Sequence, residues 1–229
     1  MNNETATVGG KTLSTHRREF TRLEETVHAV THGAGAILGM VGLILLIIKA
    51  STATALLSSV IFGISLILLY AASGTFHASC AVWGTHKPSR FRDFTEKCDH
   101  SLIYLLILGT YAPACLSAMG GTVGYLLFAL VATCCVLGFV LNVINVKRFA
   151  KISMVLYVIS GWTIAAAIYP YYRAVGVGGI ALLLAGGVSY TVGLLFYRAR
   201  HIPYLHIVWH ALVLLGSVLH FLMVYFYCI

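Results

Sequence analysis

Charged side chains are scarce in this sequence: they make up 10% of the 229 residues, whereas hydrophobic residues make up 59%. The mean hydropathy of +0.90 lies far above the range of soluble domains. This composition excludes a soluble protein of this length. It indicates an all-α membrane protein that crosses the bilayer several times.

Acidic residues are scarcer than basic ones, because seven Asp and Glu face 15 Lys and Arg, which gives a net charge of +8. In a soluble chain such an excess would raise nucleic acid as a partner. Here the basic residues lie between apolar runs, where they anchor and orient a membrane protein. We therefore expect no nucleic-acid partner.

Two further signals are missing from the chain. The six cysteines show no paired spacing typical of a disulfide framework, so we interpret them as buried thiols. The polar segment from Met1 to Leu23 has no apolar core followed by a cleavage site, so we expect no removable signal peptide. Residues 1–23 are predicted to form a short, flexible cytoplasmic tail.

The apolar runs are long enough to be measured against a bilayer, since a spanning helix needs about 20 apolar residues. From His100 to Val146 no charged side chain occurs, and one helix of that length would measure roughly 70 Å, more than twice the hydrocarbon core. We divide this run at Gly120-Gly121-Thr122 and expect Pro113 to kink the span before it. Residues 24–229 then form a single transmembrane domain, with the longest polar loop at Trp83–Lys97. The predicted spans are seven helices at about 27–48, 53–80, 99–119, 123–144, 152–172, 175–197 and 204–227.

The distribution of lysine and arginine offers an independent check on seven spans, because basic loops must then alternate. Thirteen of the 15 basic residues fall on one predicted side, namely Lys11, Arg17, Arg18, Arg22, Lys87, Arg90, Arg92, Lys97, Lys147, Arg148, Lys151, Arg198 and Arg200. Only Lys49 and Arg173 fall on the other side. This asymmetry predicts that the N-terminus lies inside and the C-terminus outside.

Buried polar residues from three predicted helices meet at one membrane depth. Ser73 and His77 lie four residues apart near the inner end of the second span, and Asp99 begins the third. His206 and His210 occupy the first two turns of the seventh, and their spacing places both imidazoles on one helix face. These five side chains are predicted to converge near the cytoplasmic surface.

Three histidines with a fourth position open are typical of catalytic zinc, whereas structural zinc is usually fully ligated by protein. A carboxylate beside such a metal can orient a water molecule or accept its proton. The alternative is that the histidines only hydrogen-bond to neighbouring helices.

Other candidate ligands are present. His28 and His32 form a second pair at the same spacing, with Glu25 one turn before, but we rank the pair lower because His28 is predicted at the hydrated mouth of the first span. Cys80 and Cys98 flank His77 and Asp99 in the chain and would make a closed structural site if they bound metal, although membrane cysteines are more often apolar fillers.

The remaining histidines are not expected to bind metal. His100 lies about 100° around the helix from Asp99 and should face a different neighbour. His220 lies deep in the seventh span and is interpreted as a hydrogen-bonded core residue. The loop histidines are His16, His86 and His201.

Several of these segments carry a family resemblance. They are Ser73-x-x-x-His77, Asp99, His206-x-x-x-His210, the segment from Glu24 to Gly33, and the stretch from Tyr104 to Pro113. Together they resemble the haemolysin III family, which is grouped with the progestin and adipoQ receptors and more distantly with the alkaline ceramidases. The resemblance covers the chain from about Glu24 to its end.

The resemblance implies a seven-helix bundle in a bacterial cytoplasmic (inner) membrane, with zinc bound by His77, His206 and His210. It also implies that Asp99 contacts the water on zinc and that Ser73 donates a hydrogen bond nearby. The implied activity is hydrolysis of lipid amides such as ceramide, with a role in membrane lipid homeostasis. The short N-terminal tail differs from that of the eukaryotic receptors and argues against a hormone-type ligand.

Three functions stay open from sequence. The first is a zinc-dependent hydrolase of a membrane lipid amide or ester, with Asp99 and Ser73 as catalytic residues. The second is a membrane sensor or receptor in which zinc is structural. The third is a pore-forming haemolysin, which the sequence supports least because no file of polar residues runs through the outer half of the spans.

Overall fold

The computed structural model describes residues 18–84, 89–199 and 201–229 in full and, before them, the backbone of residues 6–8 and 11–13. These two short strands, β1 (Ala6–Val8) and β2 (Lys11–Leu13), pair antiparallel. Some residues used in the sequence predictions lie outside the described part: His16, Arg17, His86, Lys87 and Arg200.

From Arg22 onward, every regular element of the described residues is helical. The helices are α1 (Arg22–Lys49), α2 (Ala53–Trp83), α3 (Arg90–Ala112), a π-helical segment (Pro113–Met119), α4 (Gly121–Trp162), a 3₁₀ segment (Thr163–Ala167), α5 (Ile168–Arg198) and α6 (Leu205–Tyr227).

Among the described residues, five helical stretches are long and apolar enough to cross a membrane. They are Arg22–Lys49, Ala53–Trp83, Arg90–Met119, Gly121–Arg198 and Leu205–Cys228. An all-α membrane protein with several spans is therefore confirmed.

The fourth of these stretches contains 78 residues and would measure roughly 117 Å as one continuous helix, far more than a bilayer. Its backbone leaves the helical conformation at Asn145 (φ −162°, ψ 97°) and at Gly176 (φ 65°, ψ −172°). These two breaks divide the stretch into three helical pieces. The total of seven spans stays a prediction.

The start of α3 differs from the sequence prediction. The helix begins at Arg90, where the Ser89 hydroxyl accepts a hydrogen bond from the Arg92 N–H and Asp93 lies in the first turn. The predicted polar loop at Trp83–Lys97 is therefore wrong over its second half. Counting uncharged residues missed this part because the helix extends beyond its apolar portion, and Asp99 consequently lies in the third turn and not in the first.

The turn between α3 and α4 lies where the glycines predicted it. Gly120 and Gly121 both have φ of 59°, a left-handed conformation that glycine adopts without steric cost. Just before this turn, at Pro113, α3 gives way to π-helical geometry. Proline lacks the backbone N–H that an α-helix needs at this point, which accounts for the change of helix type, and the predicted kink stays a prediction.

The ends of α1 and α6 determine where the polar residues meet. At one end of the bundle the Tyr204 N–H, just before α6, donates to the Glu24 carboxylate at 2.8 Å. At the other end the Lys49 ammonium donates to the Tyr225 carbonyl oxygen. The two helices therefore run parallel, and α2 returns antiparallel to α1. The start of α1, the end of α2 and the start of α6 lie together.

Candidate metal centre

Four buried histidines from three helices meet at this end of the bundle. His28 lies in the second turn of α1, His77 in the last two turns of α2, and His206 and His210 in the first two turns of α6. Each ring offers one nitrogen, either Nδ1 or Nε2, and these four nitrogens all lie within 4.8 Å of one another. We call these four residues the histidine group. It contains all three predicted metal ligands, and His28 in addition.

The donor set fits a metal ion. Imidazole nitrogens suit zinc and its neighbours in the first transition row. Nitrogens at about 2.1 Å from one tetrahedral metal lie about 3.4 Å apart, so separations of up to 4.8 Å must shrink by as much as about 1.4 Å when a metal binds. Both ring nitrogens of His28 and the Nδ1 of His210 are buried without a hydrogen-bond partner among the described residues. An unpartnered buried polar group costs about 1–3 kcal/mol, and metal binding would remove that cost at one nitrogen of each ring.

Glu25 is a site residue to which the sequence analysis gave no role. Its Oε2 lies 2.6 Å from His77 Nδ1, and both side chains are buried. A carboxylate on Nδ1 holds the proton on that nitrogen and leaves Nε2 with its lone pair for a metal. The available signal was a carboxylate at the entrance of an apolar span, one turn before a histidine.

The lower rank given to His28 and His32 needs correction. It assumed that His28 is hydrated, but the residue is 0% exposed and its ring lies 4.6–4.9 Å from the rings of His77, His206 and His210. His32 is not in the histidine group. Its ring lies 3.8 Å from that of His210 and 5.0 Å from that of Tyr70.

Asp99 and Ser73 line the same cavity as His77, His206 and His210. The cavity has a volume of about 330 Å³, and its wall also includes Glu25. The Ser73 side chain is buried, and the Asp99 Oδ2 lies 3.7 Å from His100 Nδ1. The structure thus brings both predicted catalytic residues to the cavity of the histidine group, and their roles stay predictions.

The other candidate ligands lie apart from the group. His100 Nδ1 lies 2.9 Å from the Glu96 carbonyl oxygen, and its Nε2 lies 3.3 Å from the Tyr197 hydroxyl. His100 nevertheless stays beside Asp99 and lines the same cavity, so the expectation that it faces a different neighbour is not confirmed. His220 hydrogen-bonds to the Gly216 carbonyl oxygen at 2.8 Å and stacks on a tyrosine, which confirms it as a core residue.

The cysteines are all free thiols. Cys80 is buried and lines the cavity, whereas Cys98 is half-buried. No cysteine belongs to the histidine group of the described residues. The donor set is therefore entirely imidazole.

The last residues of the predicted tail pack against the site. The Phe20 ring stacks on His206 at 4.7 Å and meets the edge of His28 at 5.1 Å. Arg18 donates two hydrogen bonds, of 3.0 and 2.8 Å, to the fully buried Glu24. Residues 18–20 thus form one wall of the site and are not a free tail.

A second, mostly apolar cavity of about 120 Å³ adjoins the first. Leu69, Ile103, Tyr157, Trp209 and Val213 line both cavities. His77, His206 and His210 line the polar cavity, and the apolar cavity reaches deeper into the bundle as far as His220.

Comparison with known proteins links the chain to one family of membrane proteins. The sequence model of the family described as "Haemolysin-III related" matches residues 20–221. The chain is 40% identical over 213 residues to the hemolysin-3 homolog of Bacillus subtilis, and the aligned region covers 92% of this chain and 97% of that protein. It is 42% identical over 207 residues to hemolysin-3 of Bacillus cereus, covering 89% and 91% of the two chains. A more distant similarity, 21% identity over 216 residues, links it to the human monocyte to macrophage differentiation factor, with 92% and 87% covered.

Proposed function

The chain belongs to the haemolysin-III-related family, and from this premise we propose that it is a zinc-dependent hydrolase of a lipid amide or ester. The observation that carries the proposal is that three of the four buried histidines, His77, His206 and His210, line a cavity whose wall also contains a carboxylate and a hydroxyl. Such a reaction would act on membrane lipid and contribute to its homeostasis.

His77, His206 and His210 would hold the metal, with Glu25 fixing the orientation of the His77 ring. When bound, a zinc ion makes a water molecule acidic enough to lose a proton near neutral pH and polarises a carbonyl group. Asp99 would orient the attacking water and accept its proton. Ser73 would donate a hydrogen bond to the oxygen on which negative charge develops.

The two adjoining cavities support an amphiphilic substrate. The polar cavity would take the amide or ester bond and its polar neighbours, and the apolar cavity would take part of a hydrocarbon chain. Binding sites for such molecules are mostly apolar with a few placed polar groups. The partner is therefore a membrane lipid.

The proposed setting is a bacterial cytoplasmic membrane, in agreement with relatives from two Bacillus species. We propose seven spans with the N-terminus inside. The breaks at Asn145 and Gly176 support this number, because Asn145 directly follows the predicted fourth span and Gly176 lies at the start of the predicted sixth span. The histidine group would then lie near the cytoplasmic surface.

A second candidate function is a membrane sensor in which the metal is structural. The presence of a fourth histidine favours it, because structural zinc is usually ligated fully by protein. The two functions differ in turnover and not in metal content.

The test combines both measurements on purified protein. We expect about one zinc per wild-type chain and release of fatty acid from a lipid amide, whereas His206→Ala should lose both metal and release. Asp99→Asn should keep its metal and lose turnover by about 10²–10⁴-fold, the usual contribution of a proton acceptor. His201→Ala, an exposed histidine near the start of α6, is the matched control and should behave as wild type.

Metal-loaded wild type that turns over no lipid amide or ester would contradict the hydrolase and favour the sensor. Unchanged turnover in Asp99→Asn would remove Asp99 from the mechanism. Wild type that binds no zinc would overturn both functions.

A further inference from the structure

His28 is a fully buried imidazole that has no hydrogen-bond partner on either nitrogen among the described residues and lies within the histidine group. We propose that His28 is a fourth metal ligand, so that in this conformation the site is closed by protein and an incoming ligand must displace it. The inference rests on the proposed metal centre and deepens it, because the proposed hydrolase uses only His77, His206 and His210 as ligands and leaves the fourth position open.

The first argument concerns Glu25, which lies beside two histidines. Its Oε2 is 2.6 Å from His77 Nδ1 and 3.8 Å from His28 Nδ1. The two rings thus turn the same nitrogen toward one carboxylate, and each keeps its Nε2 for another partner. A histidine that binds metal usually presents its other nitrogen to such a group. His28 has the same relation to Glu25 as the predicted ligand His77, at a longer distance.

The second argument concerns space. The centre of the His28 ring lies 4.8 Å from that of His77, 4.9 Å from that of His206 and 4.6 Å from that of His210. His28 therefore contacts all three proposed ligands, and no other imidazole of the described residues does so. A substrate or a small anion approaching the same nitrogens would compete with this ring.

The third argument concerns charge. Four neutral imidazoles supply no charge to balance a divalent cation, but the buried Glu25 lies directly behind two of them. A buried ion is tolerated where a counter-charge and ligands replace water. Glu25 thus supplies a negative charge for a site in which all the ligands are histidines.

His32 shows what a non-ligating histidine looks like here. It lies one turn further along α1, is also buried and also lacks a hydrogen-bond partner among the described residues, but it lines the cavity without belonging to the histidine group. It therefore provides a matched control, since its replacement removes an imidazole from the same helix and the same surroundings.

The test uses the full-length protein loaded with Co²⁺, whose visible absorption reports the ligands, and azide as the probe of an open position. In wild type we expect azide to leave the spectrum nearly unchanged, and the His32→Asn spectrum should respond as wild type does. His28→Asn should still bind Co²⁺ but should bind azide at least about tenfold more tightly, with a clear spectral shift.

Wild type that binds azide as readily as His28→Asn would overturn the fourth ligand and leave the three-histidine centre intact. If His28→Asn does not fold, the wild-type titration decides alone, because an open position shifts its spectrum and a closed one does not. Failure of every protein to bind Co²⁺ would instead overturn the metal centre, and the inference with it.

Discussion

At the scale of single residues, the Glu25 carboxylate joins α1 to α2 through its 2.6 Å contact with His77 Nδ1. This contact fixes the His77 ring before any metal binds, so part of the ordering cost is met during folding. A buried carboxylate in this place also adds negative charge beside the histidine group. Both effects should appear in metal affinity.

Glu25→Gln should keep the fold and reduce zinc affinity by about 10–100-fold, the usual effect of losing a partner behind a ligand. Glutamine retains a carbonyl oxygen for the His77 N–H but removes the charge. Competition with a chelator would measure the change. Asp93→Asn removes an exposed carboxylate that lines the same cavity but does not belong to the histidine group of the described residues. It is the control for charge and should leave the affinity nearly unchanged. Equal affinities in the two variants would mean that Glu25 is only a packing residue.

The sequence identified part of this site for physical reasons. His206 and His210 were found because a four-residue spacing places both rings on one helix face, and His77 because its depth follows from the order of the spans. His28 was undervalued and Glu25 was given no role, because a polar residue at a span entrance can face either water or the bundle. Only the packing of Phe20 and Glu24 shows that this entrance is covered.

At the scale of helices, α1 and α2 approach each other closely beside the histidine group. A Cβ added to Gly74 would lie 3.2 Å from the Gly33 nitrogen and 3.4 Å from the Ala29 carbonyl oxygen, both backbone atoms. A Cβ added to Gly33 would meet no atom within 4 Å. The crossing therefore tolerates a methyl group at Gly33 on α1 and resists one at Gly74 on α2.

Gly74→Ala should push α1 away from α2, destabilise the protein by about 1–3 kcal/mol and weaken zinc binding, because His28 and Glu25 move relative to His77. Gly33→Ala is the matched control: it makes the same Gly-to-Ala change in a helix without a close contact, so it should keep zinc binding and leave stability unchanged or raise it by up to about 1 kcal/mol. Thermal unfolding of the metal-free proteins measures the packing effect apart from the metal effect. If Gly74→Ala proves as stable as Gly33→Ala, the close crossing does not hold the site together.

Helix boundaries were predictable only where the chain itself signals them. The Gly120-Gly121 turn was found because left-handed backbone favours glycine. The start of α3 at Arg90 was missed because that part of the helix is charged, and a search for apolar runs detects only the portion in the hydrocarbon.

At the scale of the whole molecule, the stretch from Gly121 to Arg198 determines the topology. It would be one very long helix without its breaks at Asn145 and Gly176. Lys147, Arg148 and Lys151 follow the first break, and Arg173 lies just before the second. Because basic residues prefer the cytoplasmic side, the three charges after Asn145 favour an inside position for the first break. Arg173 alone also prefers the inside, which opposes the predicted outside position of the second break, but one charge is a weaker signal than three.

Sandwich fusions of alkaline phosphatase, which is active only outside the cytoplasmic membrane, test this arrangement in the otherwise complete chain. Inserted after Lys151, after Ala174 and after Ala199, the enzyme should be inactive, active and inactive, and a fluorescent protein that matures only inside should show the reverse. Insertions after Ala50 and after Ile229, both predicted outside, calibrate the signal. If the stretch crosses once, no alternation occurs across the first two positions, because both then lie within one span.

The same fusions locate the histidine group, since α6 begins directly after the third position. An inactive reporter there places His206 and His210 at the cytoplasmic surface, and an active reporter places them at the opposite face of the membrane.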